Sequence, residues 1–313
     1  MACGLPRGGL WPGQVLSLLP RCRFPPSGSE VVCAVSGGPD SLALLALAVA
    51  AGCRAEAVHV DHGLRPSSAA EAEVVQEAAE LLGSAFRRVS VRVPPGPDLE
   101  ARARRARYGA LPRGSLVGHT ADDQAETVLL NLMRGAGLEG LAAMRPSGAG
   151  LGSVGRPLLA LRRSETEAVV AALGLRVVRD ESNSDLRFRR NRTRHQLLPL
   201  LADISGRDPV PVLVRTARIL GQDSEVLAAL AGDLDPTDVR ALRAAPRPLA
   251  NRALRTWLRQ GPDRHPPSSA ELERVWAVVS GQAKACELAG GCRVSRSKGR
   301  LTLSPPLLPP LPV

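Results

Sequence analysis

The chain has 313 residues, of which 41 are Lys or Arg and 30 Asp or Glu, for a formal charge of +11 at pH 7. That length holds one sizeable α/β domain and a smaller unit, and the excess of cations calls for an anionic partner and excludes an acidic solvating chain. Six scattered cysteines with no C-x-x-C pair exclude a disulfide framework and a zinc ribbon, and an aromatic content of 2% argues against a binder that stacks bases on rings.

In chain order, Pro6, Pro12 and Pro20 interrupt the N-terminus, so no signal peptide is expected, and the apolar run 42–51 is too short to span a bilayer. A cytoplasmic enzyme with no membrane contact is the expectation. The β-branched run 31–35 predicts a strand, followed by the turn Ser36-Gly37-Gly38-Pro39-Asp40-Ser41 and a helix from Leu42. A second strand is predicted at 55–63, a helix at 69–82 stopped by Gly83, a third strand at 86–93 and an arginine-rich helix at 99–111 stopped by Pro112. A short strand at 115–118 and a helix at 122–133 complete the alternation. Strands alternating with helices predict an α/β fold, a parallel twisted sheet with helices on both faces and ligands at the carboxyl ends of the strands.

The stretch 134–155 is glycine-rich and reads as mobile, 164–173 as a helix, and 180–201 as a dense polar cluster. Beyond Ser205 the chemistry-bearing residues thin out, and helical patterns at 212–230, 249–258 and 272–279 are separated by Asp235-Pro236 and Gly261-Pro262. The expected division is a catalytic domain at 1–204 and a small, mainly helical unit at 205–313 ending in a proline-rich tail.

The turn after the first strand is the most informative feature. Between a buried strand and a helix N-terminus, backbone N–H groups and the helix dipole hold phosphate. Gly37 and Gly38 allow close approach, and the hydroxyls of Ser36 and Ser41 add donors. Asp40 is repulsive beside phosphates unless a metal or a catalytic need holds it there. The turn lacks the Gly-Lys-Ser/Thr ending of a Walker loop and the spacing of a dinucleotide fingerprint. It resembles the SGGxDS loop of the PP-loop ATP pyrophosphatases, which cleave ATP between the α and β phosphates and adenylate an oxygen.

A second cluster opens the helix at 122: Asp122, Asp123, Gln124 and Glu126 follow Gly118-His119-Thr120. Asp123 and Glu126 are three apart and share a face. That pair suits a metal or an ammonium group, and also suits plain helix capping by acids. The ordered set decides between them. His59-Val60-Asp61-His62-Gly63, Ala103-Arg104-x-x-Arg107-Tyr108, the Gly118–Thr127 segment, Arg134-Gly135-x-Gly137, Gly140-Leu141-x-x-Met144, Arg156-Pro157-Leu158-Leu159, Asp180-x-x-Asn183 and Arg190-Asn191-x-x-Arg194 occur in that order. Together they resemble the bacterial tRNA(Ile)-lysidine synthetases over about 31–201. One departure is Thr120, where that family usually carries a second histidine.

The resemblance implies adenylation by ATP of the 2-oxygen of the wobble cytidine in the CAU anticodon of isoleucine tRNA. Attack by the side-chain amine of L-lysine would follow. It implies Mg2+ beside ATP, phosphates held by Ser36, Gly37, Gly38, Pro39, Asp40 and Ser41, and lysine ammonium held by Asp123 and Glu126. Arg190 and Arg194 would join the catalytic set; His119, Asp122 and Asn191 would bind substrate; the helical unit would bind tRNA; and the protein would have the option of a homodimer. Arg104 and Arg107 read either as phosphate or RNA contacts or as a solvated basic face, and His59 and His62 either as a nucleotide-pocket lining or as loop packing. A PP-loop thiolase is the rival reading, but it calls for cysteine chemistry this sequence does not offer.

Overall fold

The computed structural model describes residues 11–61, 68–92, 99–147, 154–178, 184–259 and 267–305, the side chains of 68, 69, 99–101, 103, 104 and 107 excepted. The chain divides into two compact units, Met1–Leu220 and Gly221–Val313.

In the first unit, a short helix α1 (Gly13–Leu18) precedes β1 (Glu30–Ala34), whose Val31 and Cys33 are buried. α2 (Pro39–Ala50) starts with Pro at its first helical position, where a missing N–H costs nothing. Every residue from Ser41 to Ala48 is buried, the signature of a helix enclosed on all sides. β2 (Arg54–Asp61), α3 (Ser68–Leu82), β3 (Ala85–Ser90), α4 (Leu99–Ala110), β4 (Leu116–Val117) and α5 (Ala121–Met133) follow. The strands form a parallel sheet in the order β3-β2-β1-β4, as the alternation in the sequence predicts. The chain moves outward from β1 to β3 and returns on the other side of β1. The crevice between β1 and β4 is therefore the switch point where ligands of such sheets bind, and it is flanked by the first turns of α2 and α5.

A short helix α6 (Leu138–Leu141) is held to α5 by Asn131, which donates to Gly140 O at 2.7 Å, and by Gln124. The Gln124 amide brackets the Met144 backbone, donating to its C=O and accepting its N–H, each at 3.0 Å. The part of the glycine-rich stretch before residue 148 is thus clamped to α5, and 148–153 lie outside the described residues. α7 (Arg163–Ala172) packs Val169 and Val170 into the same core as the leucines of α2.

Residues 189–205 are continuously helical: α8 (Arg189–Arg192), a π-turn segment (Thr193–Leu197) and α9 (Leu198–Ser205). The sequence pattern indicated only a polar cluster there, because its arginines and asparagine carry no apolar period. α10 (Pro209–Gly232) starts in the first unit, where Val210 joins Ala121, Ala125, Leu129 and Leu198 in a small core.

In the second unit, α11 (Val239–Ala244), α12 (Arg247–Leu258) and α13 (Ser269–Ser280) enclose a core that includes Leu242, Leu254, Trp257, Val275 and Val278. To these helices the structure adds a three-stranded antiparallel sheet: β5 (Ala285–Glu287), β6 (Arg293–Ser297) and β7 (Arg300–Ser304). The pattern reading did not foresee it. The signal was present in the two-residue turn Lys298-Gly299, both at positive φ (47° and 77°), which suits a tight hairpin. Strands of only three to five residues gave too little alternation to register.

Candidate active site

The loop between β1 and α2 is shaped by its smallest residues and by one hydroxyl. Gly37 sits at φ +85°, and a Cβ there would lie 2.5 Å from Val178 Cγ2, while Val178 N–H donates to Gly37 O at 2.9 Å. The Ser41 hydroxyl donates to Gly38 O at 2.9 Å and accepts the Ser36 N–H at 3.1 Å. Ser36 Oγ lies 3.3 Å from Ser41 Oγ. The proton of Ser41 thus closes the loop on itself, so this hydroxyl builds the cradle's frame. Gly118, at the end of β4, is equally constrained: a Cβ there would stand 2.5 Å from the backbone oxygen of Asp40. Glycine at 118 is what lets the two helix N-termini approach.

Asp40, Asp122, Asp123 and Glu126 converge at this crevice, each engaged by arginine. Asp123 and Glu126 share a face of α5, as their spacing predicts. Arg190 donates to Glu126 Oε2 at 2.7 Å and to Asp123 Oδ1 at 2.9 Å, and Arg194 donates to Glu126 Oε1 at 2.7 Å. The i, i+4 spacing of Arg190 and Arg194 carries across the π segment and brings both guanidiniums to one place; single π-turns of this kind often sit at functional sites. Glu126 is wholly buried, at 0% exposure, and is tolerable as a carboxylate only because of these partners. Arg163, at the first position of α7, reaches three acids: Asp123 at 3.1 Å, Glu126 at 3.4 Å and Asp40 at 3.4 Å.

The local field differs between the acids. Burial pushes the Asp40 carboxyl up to about 6, against the hydrogen bond from Thr166 and the charge of Arg163. Burial works in the same direction on Asp123, but Arg190, Arg163 and His119 outweigh it and hold its carboxyl below the usual carboxylate range. Asp122, also opposed by burial, is held low by Arg162 and the Arg163 backbone. One acid is therefore poised near neutrality beside two held ionised.

The remaining candidate residues fall into distinct places. Thr120 caps α5: its N–H donates to Asp123 Oδ2 at 2.9 Å and its hydroxyl to the same oxygen at 3.0 Å. The residue that departs from the family pattern therefore orients a catalytic candidate. His119 Nδ1 lies 3.2 Å from Arg156 Nε. Asp122 faces Arg162 and accepts the Arg163 N–H at 2.8 Å. Asn191 turns inward to donate to Asp185 O at 2.9 Å, closing the turn before α8. His59 is buried, and its Nδ1–H donates to Val35 O at 3.0 Å, which ties β2 to the end of β1. His62, with Asp180 and Asn183, lies outside the described residues, as do the side chains of Arg104 and Arg107 on α4.

Arg162, Arg163 and Thr166 were not singled out from the sequence. The available signal was their place a few residues after Arg156-Pro157-Leu158-Leu159. A cleft of about 210 Å³ beside the cluster is lined by Asp122, Glu126, Arg194, Leu198, Asp208 and Val210 among others. Among the described residues no group of three or more His, Cys, Asp or Glu has metal-ligand geometry.

A glycine–serine loop at the switch point of a parallel sheet, facing paired acids on the neighbouring helix, fits an ATP-using protein of the PP-loop class, and residues 17–201 match the family described as a PP-loop domain. Residues 238–302 match the TilS substrate binding domain. The chain is 42% identical over 304 residues to a tRNA(Ile)-lysidine synthase of Nocardia farcinica, covering 90% of this chain and 93% of that one. It is 47% identical over 241 residues to one from Mycolicibacterium paratuberculosis, covering 73% and 74%. The chain belongs to the tRNA(Ile)-lysidine synthase family. Among solved structures, the U34-tRNA thiolase NcsA of Methanococcus maripaludis shares the fold at a TM-score of 0.53 and 16% identity, over 66% of this chain and 78% of that one. No helix among the described residues is long and apolar enough to cross a membrane.

Proposed function

We propose that this protein joins L-lysine to carbon 2 of the wobble cytidine in the CAU anticodon of isoleucine tRNA, at the expense of ATP. The observation that carries the reading is the meeting of the phosphate loop with the Asp123–Glu126 pair across one crevice, in a chain of this family. The cytosine 2-oxygen attacks the α-phosphorus of ATP and pyrophosphate leaves. The lysine Nζ then attacks carbon 2, and AMP departs with the oxygen. Adenylation is required because a carbonyl oxygen is a poor leaving group.

In this reading residues 36–41 cradle the phosphates at the N-terminus of α2. Asp40, with a partly exposed carboxylate, fits Mg2+, which takes one or two carboxylates and completes its shell with phosphate and water. That ion would offset phosphate charge. Asp123 and Glu126 hold the lysine ammonium, and one of them accepts its proton as the amine becomes nucleophilic. Arg190 and Arg194, released from the acids by lysine, turn to the phosphates or the RNA backbone. His119, Asp122 and Asn191 support the substrate side, and Arg104 and Arg107 would serve as phosphate or RNA contacts. The 205–313 unit recognises tRNA, and the protein acts in the cytoplasm. The match to the TilS substrate binding domain and the lack of any C-x-x-C pair favour this over sulfur transfer.

The test is incorporation of labelled lysine into CAU-anticodon isoleucine tRNA with and without ATP. ATP-dependent label that survives deacylation is expected. Pyrophosphate release without label would move the reading to another nucleophile.

A further inference from the structure

Asp40 occupies the second position of α2, where an acid ordinarily faces its own helix N-terminus. Its carboxylate crosses to α7 as well: Oδ1 accepts Thr166 Oγ1 at 2.5 Å, and Oδ2 accepts Arg163 Nε at 3.4 Å. Thr166 is fully buried at 0% exposure. Its hydroxyl also lies 2.7 Å from Arg163 O; its single proton serves one acceptor at a time, and the charged oxygen is the stronger. A β-branched side chain on a packed helix has little χ1 freedom, so the direction of this bond is fixed by the packing of α7 on α2. Arg163 fixes the other half of the arrangement. Its backbone N–H holds Asp122 at 2.8 Å, and its guanidinium holds Asp123 and Glu126. The acid of the ATP loop and the acids of α5 are thus joined through one turn of a third helix.

We propose that Arg163 and Thr166 are positioning residues, whose turn sets the direction of the Asp40 carboxylate and its spacing from Asp123 and Glu126, and that the ATP-dependent step depends on this setting. Three carboxylates gathered at one crevice repel one another. A single guanidinium touching all three sets the geometry in which they coexist, and the Thr166 hydroxyl on Oδ1 together with Arg163 on Oδ2 fixes the plane of the Asp40 carboxylate against α7. The inference rests on the ATP-using role of Asp40 given above.

The test measures tRNA- and ATP-dependent pyrophosphate release, lysine incorporation and Tm for the full-length wild type and for Thr166→Val, Thr166→Ser, Arg163→Lys and Arg163→Gln. Valine keeps the shape of threonine and removes the proton; serine keeps the proton and removes the methyl. Thr166→Val is expected to lower kcat for pyrophosphate release about tenfold or more, the size of one lost hydrogen bond to a charged group, with KM for lysine unchanged. Thr166→Ser is expected to recover most of that loss. Arg163→Lys, which keeps the charge but not the fork, should fall between wild type and Arg163→Gln. Equal rates for Thr166→Val and an active wild type would overturn the inference alone. A Thr166→Ser loss as deep as that of Thr166→Val, with both Tm values lowered, would reduce Thr166 to packing and overturn it too. A wild type that releases no pyrophosphate would overturn the parent reading together with this one.

Discussion

Asp40 carries an ionisation burden that its burial imposes. Its carboxyl is raised from 3.8 to about 6 by burial, so the folded state binds a proton more tightly than the unfolded state. The sign follows: the contribution is fully stabilising below about pH 4 and is lost as pH rises through 6. Asp40→Asn should therefore stabilise the protein at pH 8, by at most about 3 kcal/mol at about 1.4 kcal/mol per pH unit, and should gain nothing at pH 4, while abolishing modification. Denaturant melts of both proteins at the two pH values check this, and equal stabilities at pH 8 would contradict the burial argument. Glu126 is held by ion pairs to Arg190 and Arg194. Glu126→Gln takes one of two acids from Arg190 and Arg194, which keep Asp123 and stay partly exposed, so the loss expected is that of hydrogen bonds to a charged group, about 1.5–3 kcal/mol. A clear fall in denaturation midpoint is expected along with lost lysine incorporation, and an unchanged midpoint would mean that these arginines find other partners. The pairing of Asp123 with Glu126 was legible from their spacing. Arg163 and Thr166 were not, because their importance lies wholly in contacts more than thirty residues away in sequence.

Among the elements, the approach of α2 to the end of β4 depends on one missing side chain. A methyl at Gly118 would meet the Asp40 backbone oxygen at 2.5 Å and its carbonyl carbon at 2.8 Å, and backbone cannot swing aside as a flexible side chain would. Gly118→Ala should displace the first turn of α2, raise KM for ATP about tenfold and cost about 1–3 kcal/mol of stability, as overpacking does. Titration of pyrophosphate release against ATP checks this, and an unaltered KM would show that the loop tolerates the shift. The main helices and strands of the first unit were legible because apolar period and glycine or proline punctuation agree there. The helical run 189–205 and the hairpins of the second unit were not. The first opens on arginines and an asparagine with no apolar period, leaves Leu200 and Ile204 exposed, and finds its partners on α5; the strands of the second are short and take their alternation from a core built by α11–α13.

Over the whole molecule, a charge of +11 sets the terms of association with RNA. Binding of the isoleucine tRNA should weaken about 100-fold between roughly 50 and 200 mM salt if about four phosphates are contacted, since counterion release scales with the contacts made. Filter-binding or fluorescence titrations across that range measure it, and a flat salt response would assign the charge elsewhere. The sequence by itself determined the class of fold, the turn between β1 and α2, the shared face of the acid pair and the family, because these depend on local order: a strand, a small-residue turn, a helix start and fixed spacings along one chain. Only the tertiary structure decided what surrounds the acids. The order β3-β2-β1-β4 brings the N-termini of α2 and α5 to one crevice, and α7, α8 and the π segment then bring Arg163, Arg190 and Arg194 onto carboxylates that would otherwise repel one another. Coulombic pairing in a buried crevice depends on distances through space, and distances along the chain do not encode them.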